Sequence, residues 1–153
     1  MNTQSLDMLI DLAQKARDNA GQLLAGERLT GQQLDAQLKL LTSYREEYQQ
    51  GLQQTMGSGI DLNTLRDYQS FLDSLDTAIV QARRSLEQQQ EQINASQRHW
   101  QQQQRQLSSY NTLSDRKLSQ AFQKAQRQEQ RQTDERNGNS FARAQLRQAA
   151  TEQ

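Results

Sequence analysis

Leu65, Leu72, Ile79, Leu86, Ile93, Trp100 and Leu107 stand seven residues apart. An apolar row of that length specifies a helix that winds against another helix, not one that closes a globular core. No proline interrupts it, and the whole chain has none. Proline would remove a helical hydrogen bond and clash with the preceding turn, so helix is sterically permitted everywhere. A coiled coil offers little room for an enclosed pocket. Function is therefore expected on its exposed helical surface.

Composition narrows the class further. Only 33% of the 153 residues are hydrophobic and 5% aromatic, which leaves a sheet little to build from. Low hydrophobicity also describes disorder, but a formal net charge of zero and strict apolar spacing favour ordered helix. The absence of cysteine removes disulfides, thiolate metal sites and a cysteine nucleophile. Residues 1–16 carry Asp7 and Asp11 and lack the basic head and apolar stretch of a secretory signal. No apolar run approaches the roughly 20 residues that cross a bilayer. The expected protein is soluble and cytoplasmic. Its charge is uneven: residues 1–115 hold 10 Lys/Arg against 14 Asp/Glu, and residues 116–153 hold 8 against 4. The basic end suits an acidic partner surface, a nucleic acid or a membrane, or is simply a solvated helix.

A second seam precedes the first. Leu6, Ile10, Ala13, Arg17, Ala20, Leu24, Glu27, Gly31, Leu34, Leu38, Leu41, Arg45, Tyr48 and Leu52 follow alternating steps of four and three. One heptad frame thus runs through residues 6–52. Gly21, Gly26 and Gly31 weaken it, each by about 1 kcal/mol against alanine, so bending or fraying is expected there. Between the seams lies Met56-Gly57-Ser58-Gly59-Ile60-Asp61. Gly57 or Gly59 can end a helix in the left-handed region, and Ser58 or Asp61 can cap the next.

The predicted fold is all-α, a long antiparallel two-helix coiled-coil hairpin over residues 1–136. Helix one covers about 4–55, the turn 56–61 and helix two about 62–135. Asn137-Gly138-Asn139 is expected to end helix two, leaving residues 137–153 as a flexible C-terminal tail. Reflection about the turn sets Leu24 opposite Ile93, and Arg17 and Ala20 beside Trp100. The alternate positions of helix two include Gln89, Ser96 and Gln103, so the seam turns polar away from the turn. The turn end is expected to be firm and the end with both termini loose.

No constellation for chemistry emerges. His99 is the only histidine and has no second ligand at metal spacing. Glu46-Glu47 and Asp73 with Asp76 read as solvated helix faces. Gly57-Ser58-Gly59 lacks the lysine and strand context of a phosphate loop. The expectation is a non-enzyme without cofactor or metal. One surface feature stands out. Phe71, Leu75, Ala78 and Ala82 follow steps of four, three and four. Leu75 and Ala82 belong to the seam, and Phe71 and Ala78 stand beside it, either widening the core or offering a partner an apolar stripe.

Several stretches resemble the flagellar export protein family FliJ. They are Leu38-Lys39-Leu40-Leu41 with Tyr44 and Tyr48, Met56-Gly57-Ser58-Gly59-Ile60, and Tyr68-Gln69-Ser70-Phe71 with Leu75, Ala78 and Ile79. Trp100, residues 105–107 with Tyr110, and residues 113–116 extend the likeness over roughly residues 30–120. The resemblance implies a non-catalytic coiled coil, similar to the stalk of rotary ATPases, in the flagellar type III export apparatus. It implies three partners: the hexameric export ATPase, the cytoplasmic domain of the membrane export gate, and export chaperones. The protein would sit at the cytoplasmic face of the inner membrane through the apparatus, without inserting in it. The family's gate-binding patch maps to Phe71, Leu75, Ala78 and Ala82. The basic end, with Arg116, Lys117, Lys124, Arg127 and Arg131, is then expected to enter the ATPase ring. The rival readings are the stalk protein of a virulence-type secretion system and a coiled-coil scaffold that dimerises through its seam. A nucleic-acid binder ranks low, because the basic tail lacks aromatic interleaving.

Overall fold

The computed structural model describes residues 2–152; Met1 and Gln153, the outermost residues of the expected hairpin and tail, lie outside the described residues. Among the described residues there are two helices, α1 (Thr3–Gly57) and α2 (Leu62–Thr151), and no strand. Asn2 starts α1. Its carbonyl accepts from the Leu6 N–H at 3.2 Å, and its side-chain Oδ1 accepts from the Ser5 N–H at 2.8 Å. That side-chain bond satisfies one of the amides that an α-helix leaves without a partner at its start.

The reversal uses one of each pair of candidates. Gly59 takes φ +86°, the only positive φ among the described residues, while Gly57 stays helical as the last residue of α1. The Ser58 and Gly59 amides donate to the carbonyls of Thr55 and Met56 at 3.2 and 3.3 Å, tightening the final turn. Asp61 caps α2. Its carbonyl accepts from the Leu65 N–H at 3.0 Å, and its Oδ1 from the Asn63 N–H at 3.3 Å. The glycine absorbs a conformation costly to a side chain, and the aspartate restarts the helix three residues later than Ser58 would.

The chain divides into two compact units: Leu12–Gln106, and the terminal stretches Met1–Asp11 with Leu107–Gln153. Within Leu12–Gln106 the helices run antiparallel. Glu27 meets Gln89, Arg45 meets Asp76, and Tyr48 meets Tyr68 and Phe71. The seams face inward as their spacing predicts. Every α2 seam position from Leu65 to Leu107 is buried or half-buried, and of the α1 positions only Tyr48 is exposed. Polar seam residues find partners: the Gln89 amide donates to the Glu27 carbonyl at 2.9 Å and to its carboxylate.

Three expectations need correction. The glycines do not fray α1, which is continuous from Thr3 to Gly57. Gly21 and Gly31 instead admit α2 side chains. A Cβ at Gly31 would lie 2.9 Å from the Ile93 Cδ1, and one at Gly21 would lie 3.3 Å from the Trp100 Nε1. Ile93 therefore reaches Gly31, a heptad away from Leu24, because the missing side chain leaves room there. Second, burial does not fade toward the termini. In the terminal unit Leu6 and Leu107 are the most completely buried side chains, at 1% and 2% exposure. A leucine buried that fully contributes about 2–3 kcal/mol relative to exposure. Third, α2 does not stop at Asn137-Gly138-Asn139 but continues to Thr151. Gly138 keeps negative φ there. A lone glycine costs only about 1 kcal/mol, and Ala142, Ala144, Leu146, Ala149 and Ala150 beyond it favour helix. From Leu118 onward every described residue is exposed, so this stretch lacks the cover that α1 gives the seam.

Gly26 has open space where a Cβ would stand. Gly26→Ala should stabilise the hairpin by about 1 kcal/mol in thermal melts. Gly31→Ala should gain less, because the far methyl of Ile93 must rotate away. An equal or larger gain at Gly31 would contradict the close approach.

Candidate partner-binding surfaces

Helix spacing sets Phe71, Leu75, Ala78 and Ala82 on successive turns of α2, but packing treats them differently. Leu75 is a seam residue and is 8% exposed, whereas Phe71 is 41% exposed. Ala78 and Ala82 are half-buried. Of the four, only Phe71 offers a partner a large apolar side chain. Leu75 is buried in the seam.

The exposed Phe71 ring is not isolated. Tyr48 of α1 packs on it with centroids 4.2 Å apart and planes tilted by 34°. Tyr68 lies 6.1 Å from Tyr48 at 59°. The three rings, with Thr64 and Asp67, line a shallow groove of about 340 Å³. Sequence spacing alone assigns Tyr48 to the seam interior, yet it rides outward at 42% exposure. Gly51 stands one turn further along α1. The Tyr68 phenol lies across it, with its hydroxyl 3.9 Å from where a Cβ would be. Tyr48 thus turns outward and packs on Phe71 beside the seam. The signal that could have revealed this was the crowding of Tyr48, Tyr68 and Phe71 beside a glycine.

Arg45 and Asp76 clamp the helices beside the patch through a hydrogen-bonded ion pair. The Asp76 hydrogen bond and its negative charge push the Arg45 guanidinium above its already high ordinary value. Its charge is therefore constant wherever the protein is handled, and the clamp adds no alkaline switch near neutrality.

The second surface is cationic. Arg116, Lys117, Lys124, Arg127 and Arg131 all lie on α2 in the terminal unit. At 3.6 residues per turn they fall within an arc of about 100°. Lys117 is half-buried and the other four are exposed. Asp134 and Glu135 end the stripe. Leu118 and Phe122, exposed at 64% and 65%, lie on other sides of the same stretch. His99 is exposed, and among the described residues no group of three or more metal-ligating side chains converges. No helix among them is long and apolar enough to cross a membrane.

A family profile described as Flagellar FliJ protein matches residues 1–146. The chain belongs to the FliJ family. It is 36% identical over 131 residues to the Flagellar FliJ protein of Salmonella typhi, spanning 86% of this chain and 89% of that one. It is 34% identical, over the same shares, to the Flagellar FliJ protein of Escherichia coli. In fold it is similar to the solved structure of a putative YscO homolog from Chlamydia trachomatis, with a TM-score of 0.66. That likeness covers 86% of each chain at 13% identity, so it speaks for the helical architecture alone. FliJ membership agrees with the resemblance carried by the Met56–Ile60 turn and the Tyr68–Phe71 stretch.

The difference in burial within the patch predicts different costs. Leu75→Ala should destabilise the hairpin by about 2–3 kcal/mol in chemical denaturation. Phe71→Leu, at a half-exposed site, should cost less than about 1 kcal/mol. Equal losses would contradict the division between a buried Leu75 and an exposed Phe71.

Proposed function

We propose that this chain is a non-enzymatic stalk-like component of the flagellar type III export apparatus. In this reading it binds the hexameric export ATPase and the cytoplasmic domain of the membrane export gate, and assists the cycling of export chaperones. It works in the cytoplasm, at the inner face of the membrane. Membership of the FliJ family supports the reading over a virulence-type injectisome, since both flagellar relatives match over most of their length.

The single observation that best supports a surface-borne role is the half-exposed Phe71 held against Tyr48. In this reading Phe71 makes the gate contact, with Leu75, Ala78 and Ala82 shaping the ground around it. The cationic stripe of the terminal unit enters the ATPase ring. A two-helix stalk has no rotational symmetry that matches six subunits. Each subunit would then meet a different face, and hydrolysis at one site would couple to the stalk's orientation through differential contacts. Arg116, Lys117, Lys124, Arg127 and Arg131 supply long-range attraction, which salt screens over about 10 Å at 0.1 M.

Two variants separate the partners. Phe71→Glu should abolish binding to the purified gate domain while ATPase stimulation persists. Retention of gate binding would sink the Phe71 assignment. Arg127→Glu with Arg131→Glu should weaken ATPase binding, with a deficit that shrinks as salt rises. Unchanged affinity at low salt would remove the stripe from the account.

A further inference from the structure

We infer that the gate contact is a two-helix site in which Tyr48 of α1 is a positioning residue for Phe71. This rests on the reading of Phe71 as the gate-binding ring. Tyr48 occupies a seam position, yet it is the one seam residue of α1 that the fold leaves exposed. Its ring does not simply point to solvent. It lies 4.2 Å from Phe71, closer than the 6.1 Å that separates it from Tyr68. Tyr68 lies at van der Waals distance from Gly51, with its hydroxyl 3.9 Å from where a Cβ would stand. Tyr48 and Phe71 therefore stand at the surface as a packed pair, one ring from each helix.

An exposed phenylalanine on a single helix samples several rotamers, and binding must freeze them. Ordering a side chain at an interface costs free energy that preorganisation avoids. A ring packed at 4.2 Å restricts Phe71 before any partner arrives. Aromatic pairs also hold their geometry beyond what area alone supplies. The same ring lines one side of the groove that opens beside Phe71, so the contact face draws on both helices. A peptide of α2 alone, however helical, would lack this support. Folding back at Gly59 is then a condition of recognition as well as of stability.

The test is a double-mutant cycle on the full-length chain, read as affinity for the purified cytoplasmic domain of the export gate. Tyr48→Ala should weaken binding about tenfold. Tyr48→Phe keeps the ring and should stay within about twofold of the parent. In a Phe71→Ala background, Tyr48→Ala should add nothing, because its effect passes through Phe71. A purely structural role would lower affinity in both backgrounds, so equal losses would overturn the inference. Tyr48→Leu retains apolar volume without a ring and carries the test if Tyr48→Ala loses helicity by circular dichroism. Full affinity in Tyr48→Ala or Tyr48→Leu, with binding measurably weakened in Phe71→Ala, would overturn the positioning role and leave the gate reading standing. Unchanged binding in Phe71→Ala would overturn both.

Discussion

The row of α2 side chains from Leu65 to Leu107 that packs toward α1 is the interaction on which the rest of the structure depends. Neither helix is apolar enough to be stable by burial on all sides, and glutamine-rich faces gain nothing from each other in water. Helices in proteins are held mainly by the packing of one apolar face. Here that face exists only once the chain has reversed. Gly59 provides the left-handed residue and Asp61 restarts the helix, so a few residues decide whether the two seams meet. Where α1 gives no cover, beyond Lys117, α2 becomes a solvated helix with its charges and its leucines alike exposed.

The surfaces proposed for binding arise where the seam rule is broken or runs out. Near the turn, Tyr48 leaves the seam interior and packs at the surface on Phe71, which stands beside the seam. In the terminal stretch, the cationic residues gather on one arc of an uncovered helix. Sites that depart from the local folding pattern are common places for function, because stability alone would not select them. The fully buried Leu6 and Leu107 show that the terminal unit still has packing of its own.

Much of the architecture was legible because coiled-coil physics is periodic. The spacing of Leu65 through Leu107 and of Leu6 through Leu52 determines which side chains turn inward, and the accessible surface follows it almost residue by residue. What periodicity could not convey was the effect of missing side chains. Gly21 and Gly31 read as weak points, yet they are the places where Trp100 and Ile93 enter. Asn137-Gly138-Asn139 read as a stop, yet a single glycine without a proline is too small a penalty to end a helix flanked by alanines. The placement of Phe71, Leu75, Ala78 and Ala82 along one side of α2 was legible, but not how deeply each is buried. The steps from Phe71 to Ala82 place the four on one side of α2, whereas the burial of Leu75 and the stacking of Tyr48 depend on which rings share a layer.

The central claim is that one molecule folds back on itself and pairs its own seams. Spin labels at Arg28 and Gln92, both exposed and both within the Leu12–Gln106 unit, test it directly. With labelled protein diluted in unlabelled protein, the intramolecular distance should be about 20–35 Å, since packed helix axes lie about 8–10 Å apart and the labels project outward. A distance near 95 Å, about 1.5 Å for each intervening residue of one uninterrupted helix, would show that the chain does not reverse and would contradict the account.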